Sequence, residues 1–175
     1  MNVILDAKQI GAALSDLTDR ITCDVPPKMD IVIIGIRTRG EILAQRLSER
    51  LSVKLGKPIS CGTLDITLYR DDINDPQGDV QPTVRSTEIA FDISEKIIIL
   101  VDDVLYTGRT IRSALDAIID LGRPKTIKLA VLVDRGDREL PIQADYIACK
   151  VDIEPSQSVI VNLVETDQTE QVIVE

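Results

Sequence analysis

Apolar residues follow one another along this chain in continuous runs that predict buried strands. Such a strand has both faces covered, as in the middle of a parallel sheet, and therefore lacks the alternation of an exposed strand. The clearest runs are residues 29–36, 97–101 and 126–133. Shorter runs predict strands at residues 59–69, 144–148 and 158–164, and a short edge strand at 171–175.

Between these runs, apolar residues recur three and four positions apart, which is the spacing of an amphipathic helix. This spacing covers residues 7–21, 41–55 and 111–121. Asp6 is expected to cap the first helix, and Pro26 with Pro27 should end it. Strands that alternate with helices in this order predict an α/β fold, with a mostly parallel central sheet covered by helices on both faces.

Residues 70–88 interrupt this pattern with a long polar stretch that includes Pro76, Gly78 and Pro82. So long a segment without regular structure is uncommon in a compact domain, where it usually forms a functional lid or a disordered loop. We therefore expect a flexible loop here.

Composition bounds the class of protein. With 175 residues, 44% hydrophobic and 28% charged, the chain is expected to form one globular domain over residues 1–175. No apolar run approaches the roughly 20 residues that span a bilayer, and no signal peptide is evident, so we expect a cytoplasmic protein without membrane contact.

Several kinds of chemistry are excluded. The chain has no His, which removes Ser-His and Cys-His catalysis, and Cys23, Cys61 and Cys149 are too far apart for a zinc motif. A net charge of -9 argues against a surface that binds nucleic acid as a whole, although a local basic patch is compatible with it.

Charged segments follow three of the predicted strands. Asp102 and Asp103 come directly after residues 97–101, and the turn at residues 107–110 opens the next helix. Residues 37–40 and 134–138 follow two other strands, and parallel strands bring such ends to one edge of a sheet. A helix N-terminus binds phosphate, arginines bind a diphosphate, and carboxylates bind hydroxyl groups. The sequence therefore predicts a site for a phosphorylated, activated sugar.

Simpler interpretations exist for each segment. The only role of the two carboxylates could be to stabilise the next helix through its dipole, an effect of about 0.3–1 kcal/mol. Residues 37–40 alone are as typical of a solvated loop as of a ligand loop. A phosphoacceptor receiver domain is excluded because its acidic pair should come near the start, and no G-x-G-x-x-G motif indicates a dinucleotide-binding domain.

The motifs themselves resemble a known family. V-D-D-V-L-Y-T-G-R-T resembles the phosphoribosyl pyrophosphate (PRPP) motif of type I phosphoribosyltransferases. Together with G-I-R-T-R-G, D-I-T-L-Y-R-D-D, V-L-V-D-R-G-D-R-E-L-P-I and A-D-Y-I, it resembles the PyrR family of pyrimidine operon attenuators that are also uracil phosphoribosyltransferases. The resemblance covers residues 3–164 and implies a type I phosphoribosyltransferase fold, with a flexible loop and a small hood from the N-terminal segment and about 134–164.

The resemblance also implies roles for individual residues. Asp102 and Asp103 would hold the ribose hydroxyls, Asp103 and Arg70 would act in catalysis, and Arg70 with Asp71 and Asp72 would begin the flexible loop. Around the ribose, the implied PRPP site continues through Val104, Leu105, Tyr106, Thr107, Gly108, Arg109 and Thr110. The implied pyrophosphate loop is Arg37, Thr38, Arg39 and Gly40. Asp134 and Arg135 would contact the base, and Mg²⁺ would be held through PRPP with no separate metal site in the protein.

The function implied is conversion of uracil and PRPP to UMP and pyrophosphate by a homodimer or higher homo-oligomer. UMP-dependent binding of a pyrimidine operon leader RNA is implied as well. RNA-binding members carry basic residues or His in the first helix and around the hood. In the corresponding neighbourhoods this chain has Asp16, Asp19, Asp137, Gln143 and Cys149. Arg138 and Lys150 remain as weak RNA contacts. Two alternatives stay open: an RNA-binding or UMP-sensing regulator with little catalysis, and a phosphoribosyltransferase for another base.

Overall fold

The computed structural model describes residues 2–71 and 86–175, which form two sheets and four helices. The strands are β1 (Asn2–Asp6), β2 (Ile31–Ile36), β3 (Ser60–Leu64), β4 (Ile97–Leu105), β5 (Thr126–Asp134), β6 (Tyr146–Lys150), β7 (Val159–Asn162) and β8 (Gln171–Val174). The helices are α1 (Ala7–Asp24), α2 (Arg39–Leu55), α3 (Arg109–Leu121) and α4 (Val164–Asp167).

Five strands form the central sheet in the order β3-β2-β4-β5-β6, and every neighbouring pair is parallel. Successive side chains of β2 and β4 point to opposite faces. Ile33 and Ile99 pack beneath α1 and α2, whereas Ile34 and Ile98 pack beneath α3. The predicted α/β fold with a helix-covered parallel sheet is confirmed.

The second sheet is antiparallel and has the order β1-β8-β7. The prediction that residues 171–175 form an edge strand was wrong, because β8 lies between the other two strands. Val172 and Ile173 are almost fully buried there. The sequence could not show this, because a short apolar segment has the same pattern in an edge strand as in a central strand of a sheet. Of the segments expected to form a hood, β1 and β7 lie in this sheet, whereas β6 is an edge of the central sheet.

The start of α1 is capped as predicted. The Asp6 carboxylate accepts a hydrogen bond from the Gln9 backbone N–H at 2.8 Å, and the Gln9 side chain accepts one from the Asp6 N–H at 2.9 Å. This reciprocal pair satisfies two donors at the helix end. The helix then ends at Asp24, just before the two prolines.

Strand β4 is four residues longer than its apolar run predicts. Asp102 and Asp103 therefore lie within the strand and not after its end, because the ladder to β5 continues through Asp102 and Val104 to Leu105. The opposite error occurs at residues 59–69. There β3 ends at Leu64, and the Asp65 carboxylate accepts hydrogen bonds from the backbone and hydroxyl of Thr67, which begins a 3₁₀ turn.

The expected flexible loop at residues 70–88 is described only at its two ends. Residues 72–85, including Asp72, lie outside the described residues. Within the part of the chain that is described, none of the helices has both the length and the apolar character required to cross a bilayer.

Candidate active site

A polar cavity of about 280 Å³ lies at the carboxyl ends of β2 and β4. It brings together three groups of predicted site residues: the loop after β2, the acidic pair of β4 and the start of α3. The lining residues are Ile36, Arg37, Thr38, Arg39, Asp65, Ile66, Thr67, Arg70, Asp102, Asp103, Val104 and Thr110. Guanidinium groups, carboxylates and a helix N-terminus thus face one volume, as the sequence predicts.

Asp102 and Asp103 form the floor of this cavity. The side chain of Asp102 accepts a hydrogen bond from the Asp103 N–H at 3.0 Å, and that of Asp103 accepts one from the Val104 N–H at 2.8 Å. Burial, and then the charge of Asp103, raise the pKa of Asp102 well above its ordinary value. Burial also raises the pKa of Asp103, against the lowering effects of the Val104 N–H and the Arg39 charge. Such carboxylates are suited to accept hydrogen bonds from hydroxyl groups.

Gly40 allows the loop after β2 to approach the acidic pair. A Cβ atom at this position would lie 2.6 Å from the Val101 carbonyl oxygen and 3.1 Å from the Asp102 Cα. The first distance is shorter than real Cβ contacts, so only glycine fits without moving the backbone. The first turn of α2 consequently packs against β4, and Arg37 and Arg39 lie on the cavity wall. The peptide bond between Arg37 and Thr38 is cis.

Both arginines of this loop have carboxylate partners. Arg37 Nη2 lies 3.0 Å from Glu88 Oε1, and Arg37 Nη1 lies 3.7 Å from Glu41 Oε2. Arg39 Nη2 lies 2.9 Å from Asp167 Oδ1. The local sequence around Arg37 and Arg39 gives no signal for Glu88 or Asp167.

The turn before α3 has the geometry of an anion site. Gly108 has a φ of 92°, a left-handed conformation that favours glycine, and α3 begins at the next residue. The Arg109 side chain does not line the cavity. It forms ion pairs at 2.6 Å with Asp71 and with Glu139. The backbone at the helix N-terminus is therefore better placed than the Arg109 side chain to receive a phosphate.

Arg70 lies on the cavity wall, and α3 fixes the residue before it. The Tyr69 carbonyl oxygen accepts hydrogen bonds from Arg112 Nη2 and from the buried Ser113 hydroxyl, both at 3.0 Å. The Tyr69 hydroxyl donates to Asp120 at 2.7 Å. Sequence reasoning missed this anchor, because Ser113 looks like any small residue on the buried face of a helix.

The two residues predicted to contact the base lie outside this cavity. Asp134 and Arg135 line a second cavity of about 700 Å³ at the ends of β5 and β6. Only 8% of Arg135 is exposed, and its guanidinium carbon lies 3.8 Å from the centre of the Tyr106 ring. Arg135 Nη1 donates to the Gln157 carbonyl at 3.1 Å. This stacking connects the loop after β5 to the turn after β4.

Arg138 also lines the second cavity, but four of its five N–H donors are used within the protein. It donates to the carbonyls of Tyr106, Gly136 and Ile142 at 2.8–2.9 Å and to Asp134 at 2.6 Å. Lys150 is exposed on the cavity wall. Arg138, one of the two predicted RNA contacts, holds the loop after β5 against the turn after β4.

The acidic pair offers oxygen donors of the kind that Mg²⁺ prefers. Among residues 2–71 and 86–175, no group of three or more His, Cys, Asp or Glu side chains converges on a metal position. Asp102 and Asp103 are the residues of this cavity that would hold a magnesium ion.

Comparison with known proteins identifies this arrangement. Residues 2–169 match the family model described as "Phosphoribosyl transferase domain". The chain is 47% identical over 170 residues to the "Bifunctional protein PyrR" of Bacillus velezensis, covering 97% of this chain and 94% of that protein. It is 49% identical, with the same coverage, to the protein of that name from Bacillus cereus.

Solved structures agree on the fold. The hypoxanthine phosphoribosyltransferase of Trypanosoma cruzi superposes with a TM-score of 0.73 at 18% identity, covering 99% of this chain and 95% of that one. That of Staphylococcus aureus superposes with a TM-score of 0.69 at 19% identity, covering 97% and 89%. The chain belongs to the phosphoribosyltransferase family and, within it, to the bifunctional PyrR proteins.

Proposed function

We propose that this protein is a uracil phosphoribosyltransferase that makes UMP and pyrophosphate from uracil and PRPP. One observation carries the proposal: Arg37, Arg39, Arg70, Asp102 and Asp103 line one cavity beside the N-terminus of α3. PRPP has a phosphate at one end, a diphosphate at the other and hydroxyl groups between them. The cavity offers a partner for each of these groups.

The reaction breaks the bond from ribose C1 to the diphosphate and forms a bond from C1 to a uracil nitrogen. Positive charge develops on the sugar and negative charge on the leaving group. Asp102 and Asp103 hold the ribose hydroxyls and stabilise the positive charge, while Arg37, Arg39 and Arg70 stabilise the diphosphate. Catalysis by this site is mainly positioning and electrostatic stabilisation.

Mg²⁺ is part of the proposal. When bound with PRPP, it neutralises the diphosphate and orients it for departure. Asp102 and Asp103, which both line the cavity, would hold it through the ribose hydroxyls or water.

Asp134 and Arg135 are proposed to receive uracil near Tyr106. The Asp134 Oδ1 atom already accepts hydrogen bonds from Arg138 and from the Gly136 N–H, so this carboxylate shapes the loop. Arg135 has buried Nε and Nη2 atoms without a hydrogen-bond partner in the described structure. Buried donors of this kind are costly unless a ligand or water accepts from them, which makes Arg135 the stronger candidate for contact with the base.

The test is direct. Purified protein is incubated with labelled uracil, PRPP and Mg²⁺, and UMP is measured. We expect UMP from the wild type, at least a hundredfold less from Asp103→Asn, and wild-type activity from Asp30→Asn, whose side chain lies at the start of β2, away from the cavity. Absence of UMP at every Mg²⁺ concentration, or full activity of Asp103→Asn, would refute the assignment.

A second proposal concerns RNA binding, because the relatives are named bifunctional and the family resemblance implies attenuation by UMP. We propose that this chain binds a pyrimidine operon leader hairpin weakly or not at all. Four of the five Arg138 N–H donors are used internally, and Asp137 lies beside them on the cavity wall. Tight, UMP-enhanced binding in a filter assay at physiological salt would contradict this. We also propose that the protein is cytoplasmic and assembles into a dimer or higher oligomer.

A further inference from the structure

We propose that Asp167 is a positioning residue that holds Arg39 in the pyrophosphate subsite. Asp167 is the last residue of α4, far from the sequence motifs of the site. Its Oδ1 atom accepts a hydrogen bond from Arg39 Nη2 at 2.9 Å, across 128 positions of the chain. The two side chains are 22% and 35% exposed, so water screens this ion pair less than one on the open surface.

Asp167 is itself held in place. Its other oxygen, Oδ2, accepts hydrogen bonds from the Leu163 N–H at 3.0 Å and from the Thr166 hydroxyl at 2.7 Å. The hydrogen bonds from Leu163 and Thr166, together with Arg39, lower the pKa of this carboxyl group. The carboxylate therefore stays ionised at neutral pH, and one of its oxygens is left to face Arg39.

Arg39 needs such a partner because it occupies a demanding position. It lines the cavity, and its charge acts on the buried Asp103 carboxylate. Its Nε atom is buried without a hydrogen-bond partner in the described structure. The orientation of the Arg39 guanidinium therefore depends on the contacts of its Nη atoms. An arginine side chain has many rotamers, and a fixed carboxylate on one edge limits them before a diphosphate arrives.

A neighbouring cluster of ion pairs also attaches α4 to α2, so this attachment does not depend on Asp167 alone. Arg46 lies two helical turns after Arg39 and forms ion pairs with Glu165 at 2.6 Å and with Glu170 at 2.5 Å. Arg46 does not line the cavity. The attachment of α4 to α2 therefore persists when Asp167 is changed, and Glu165 provides a matched control on the same short helix.

This inference rests on the proposed function, and its test has a readout that does not depend on turnover. Binding of magnesium pyrophosphate is measured by calorimetry for the wild type, Asp167→Asn and Glu165→Gln, along with KM for PRPP and for uracil. Asparagine keeps the size of the side chain but removes its charge. We expect Asp167→Asn to weaken pyrophosphate binding and raise KM for PRPP about tenfold, the loss typical of one charge-assisted contact, with KM for uracil unchanged. Glu165→Gln should stay within about twofold of wild type.

A double-mutant cycle with Arg39→Gln tests whether Asp167 acts through Arg39. If it does, Asp167→Asn adds little further loss in the Arg39→Gln background. Unchanged pyrophosphate affinity in Asp167→Asn, or a full additional loss in the double variant, would overturn the role. A wild-type protein that neither binds magnesium pyrophosphate nor makes UMP would instead refute the proposed function, and this role with it.

Discussion

Glu88 Oε1 lies 3.0 Å from Arg37 Nη2. A carboxylate of the protein therefore forms an ion pair with an arginine that we propose to bind the diphosphate. The Ser86 hydroxyl donates to the same oxygen at 2.7 Å. Carboxylate and phosphate oxygens compete for the same guanidinium donors. Glu88 is also held through its backbone, which pairs antiparallel with Thr63 of β3. Binding of PRPP therefore has to displace this carboxylate or share Arg37 with it.

Removing the competing charge should tighten substrate binding. Glu88→Gln is expected to lower KM for PRPP two- to threefold, the effect of about 0.5 kcal/mol for an ion pair whose carboxylate is largely exposed. Steady-state kinetics at saturating uracil measure this. Glu49→Gln, an exposed change in the middle of α2, is the control and should have no effect. A KM for PRPP that rises in Glu88→Gln would show that the carboxylate assists the substrate.

Arg138 makes four hydrogen bonds shorter than 3.0 Å, one to Tyr106 in the turn after β4 and three within residues 134–142. Arg138→Met keeps much of the apolar side chain but removes the hydrogen bonds to three carbonyl groups and the ion pair with Asp134. We expect the free energy of unfolding to fall by about 2–3 kcal/mol. Urea denaturation followed by circular dichroism measures it. Arg50→Met on the exposed face of α2 should change it by less than about 0.5 kcal/mol, and an equal loss in both variants would contradict this role of Arg138.

The predicted strands were found because aliphatic runs of this length need burial on both faces. The end of β4 could not be found in the same way. Asp102 and Asp103 are charged, yet they continue the strand because the backbone ladder to β5 does not depend on the side chain. A charged residue shows where the apolar run ends in the sequence. The end of the strand itself is set by its hydrogen bonds to the neighbouring strand.

The candidate site divides along similar lines. Arg37, Arg39, Asp102 and Asp103 follow or end parallel strands, so their convergence was predictable from topology. Glu88, Asp167 and Ser113 were not predictable. They contact their partners across 51, 128 and 44 positions of the chain, and no local pattern specifies which carboxylate or hydroxyl will meet a given arginine or carbonyl.

Asp102 should make the protein less stable as pH rises. Its pKa is raised in the folded state above the ordinary value of 3.8, so between these two values the folded protein holds a proton that the unfolded chain has lost. Stability therefore falls with rising pH across this window, and the full penalty is present above it. Asp102→Asn removes the penalty. We expect it to raise the free energy of unfolding at pH 7, where the wild-type carboxylate carries its full penalty.

Urea denaturation of wild type and Asp102→Asn from pH 4 to pH 8 tests this. The gain should shrink towards pH 4, and the variant should bind PRPP poorly despite its greater stability. Asp30→Asn, at an exposed position, should remain within about 0.5 kcal/mol of wild type throughout. A destabilised Asp102→Asn at pH 7 would show that the carboxylate is stabilised by its surroundings.

Ser113 should control the position of Arg70 through the Tyr69 carbonyl. Ser113→Ala removes one of the two donors to that oxygen but leaves Arg112 Nη2 in place. We expect a loss of about 1 kcal/mol in the free energy of unfolding and a several-fold lower kcat, with KM for uracil unchanged. Ser52→Ala also removes a hydroxyl hydrogen bond, in α2 and away from the cavity, and should affect stability alone. Equal kcat values for the two variants would remove the connection to Arg70.

Gly40 should tolerate no side chain, because a Cβ there would meet the backbone of β4. The nearest atom, the Val101 carbonyl oxygen at 2.6 Å, belongs to a central strand and cannot move aside as a side chain could. Gly40→Ala must therefore push the start of α2 away from Asp102, and Arg37 and Arg39 move with it.

We expect Gly40→Ala to lose about 1–3 kcal/mol in the free energy of unfolding and most of its affinity for magnesium pyrophosphate. Gly11→Ala is the matched control, since a Cβ in the middle of α1 meets nothing within 4 Å. It should be neutral or stabilising by up to about 1 kcal/mol, because alanine favours the helix. Calorimetry with magnesium pyrophosphate and urea denaturation on both variants separate the outcomes. Wild-type affinity in Gly40→Ala would mean that the diphosphate does not depend on the close approach of α2 to β4.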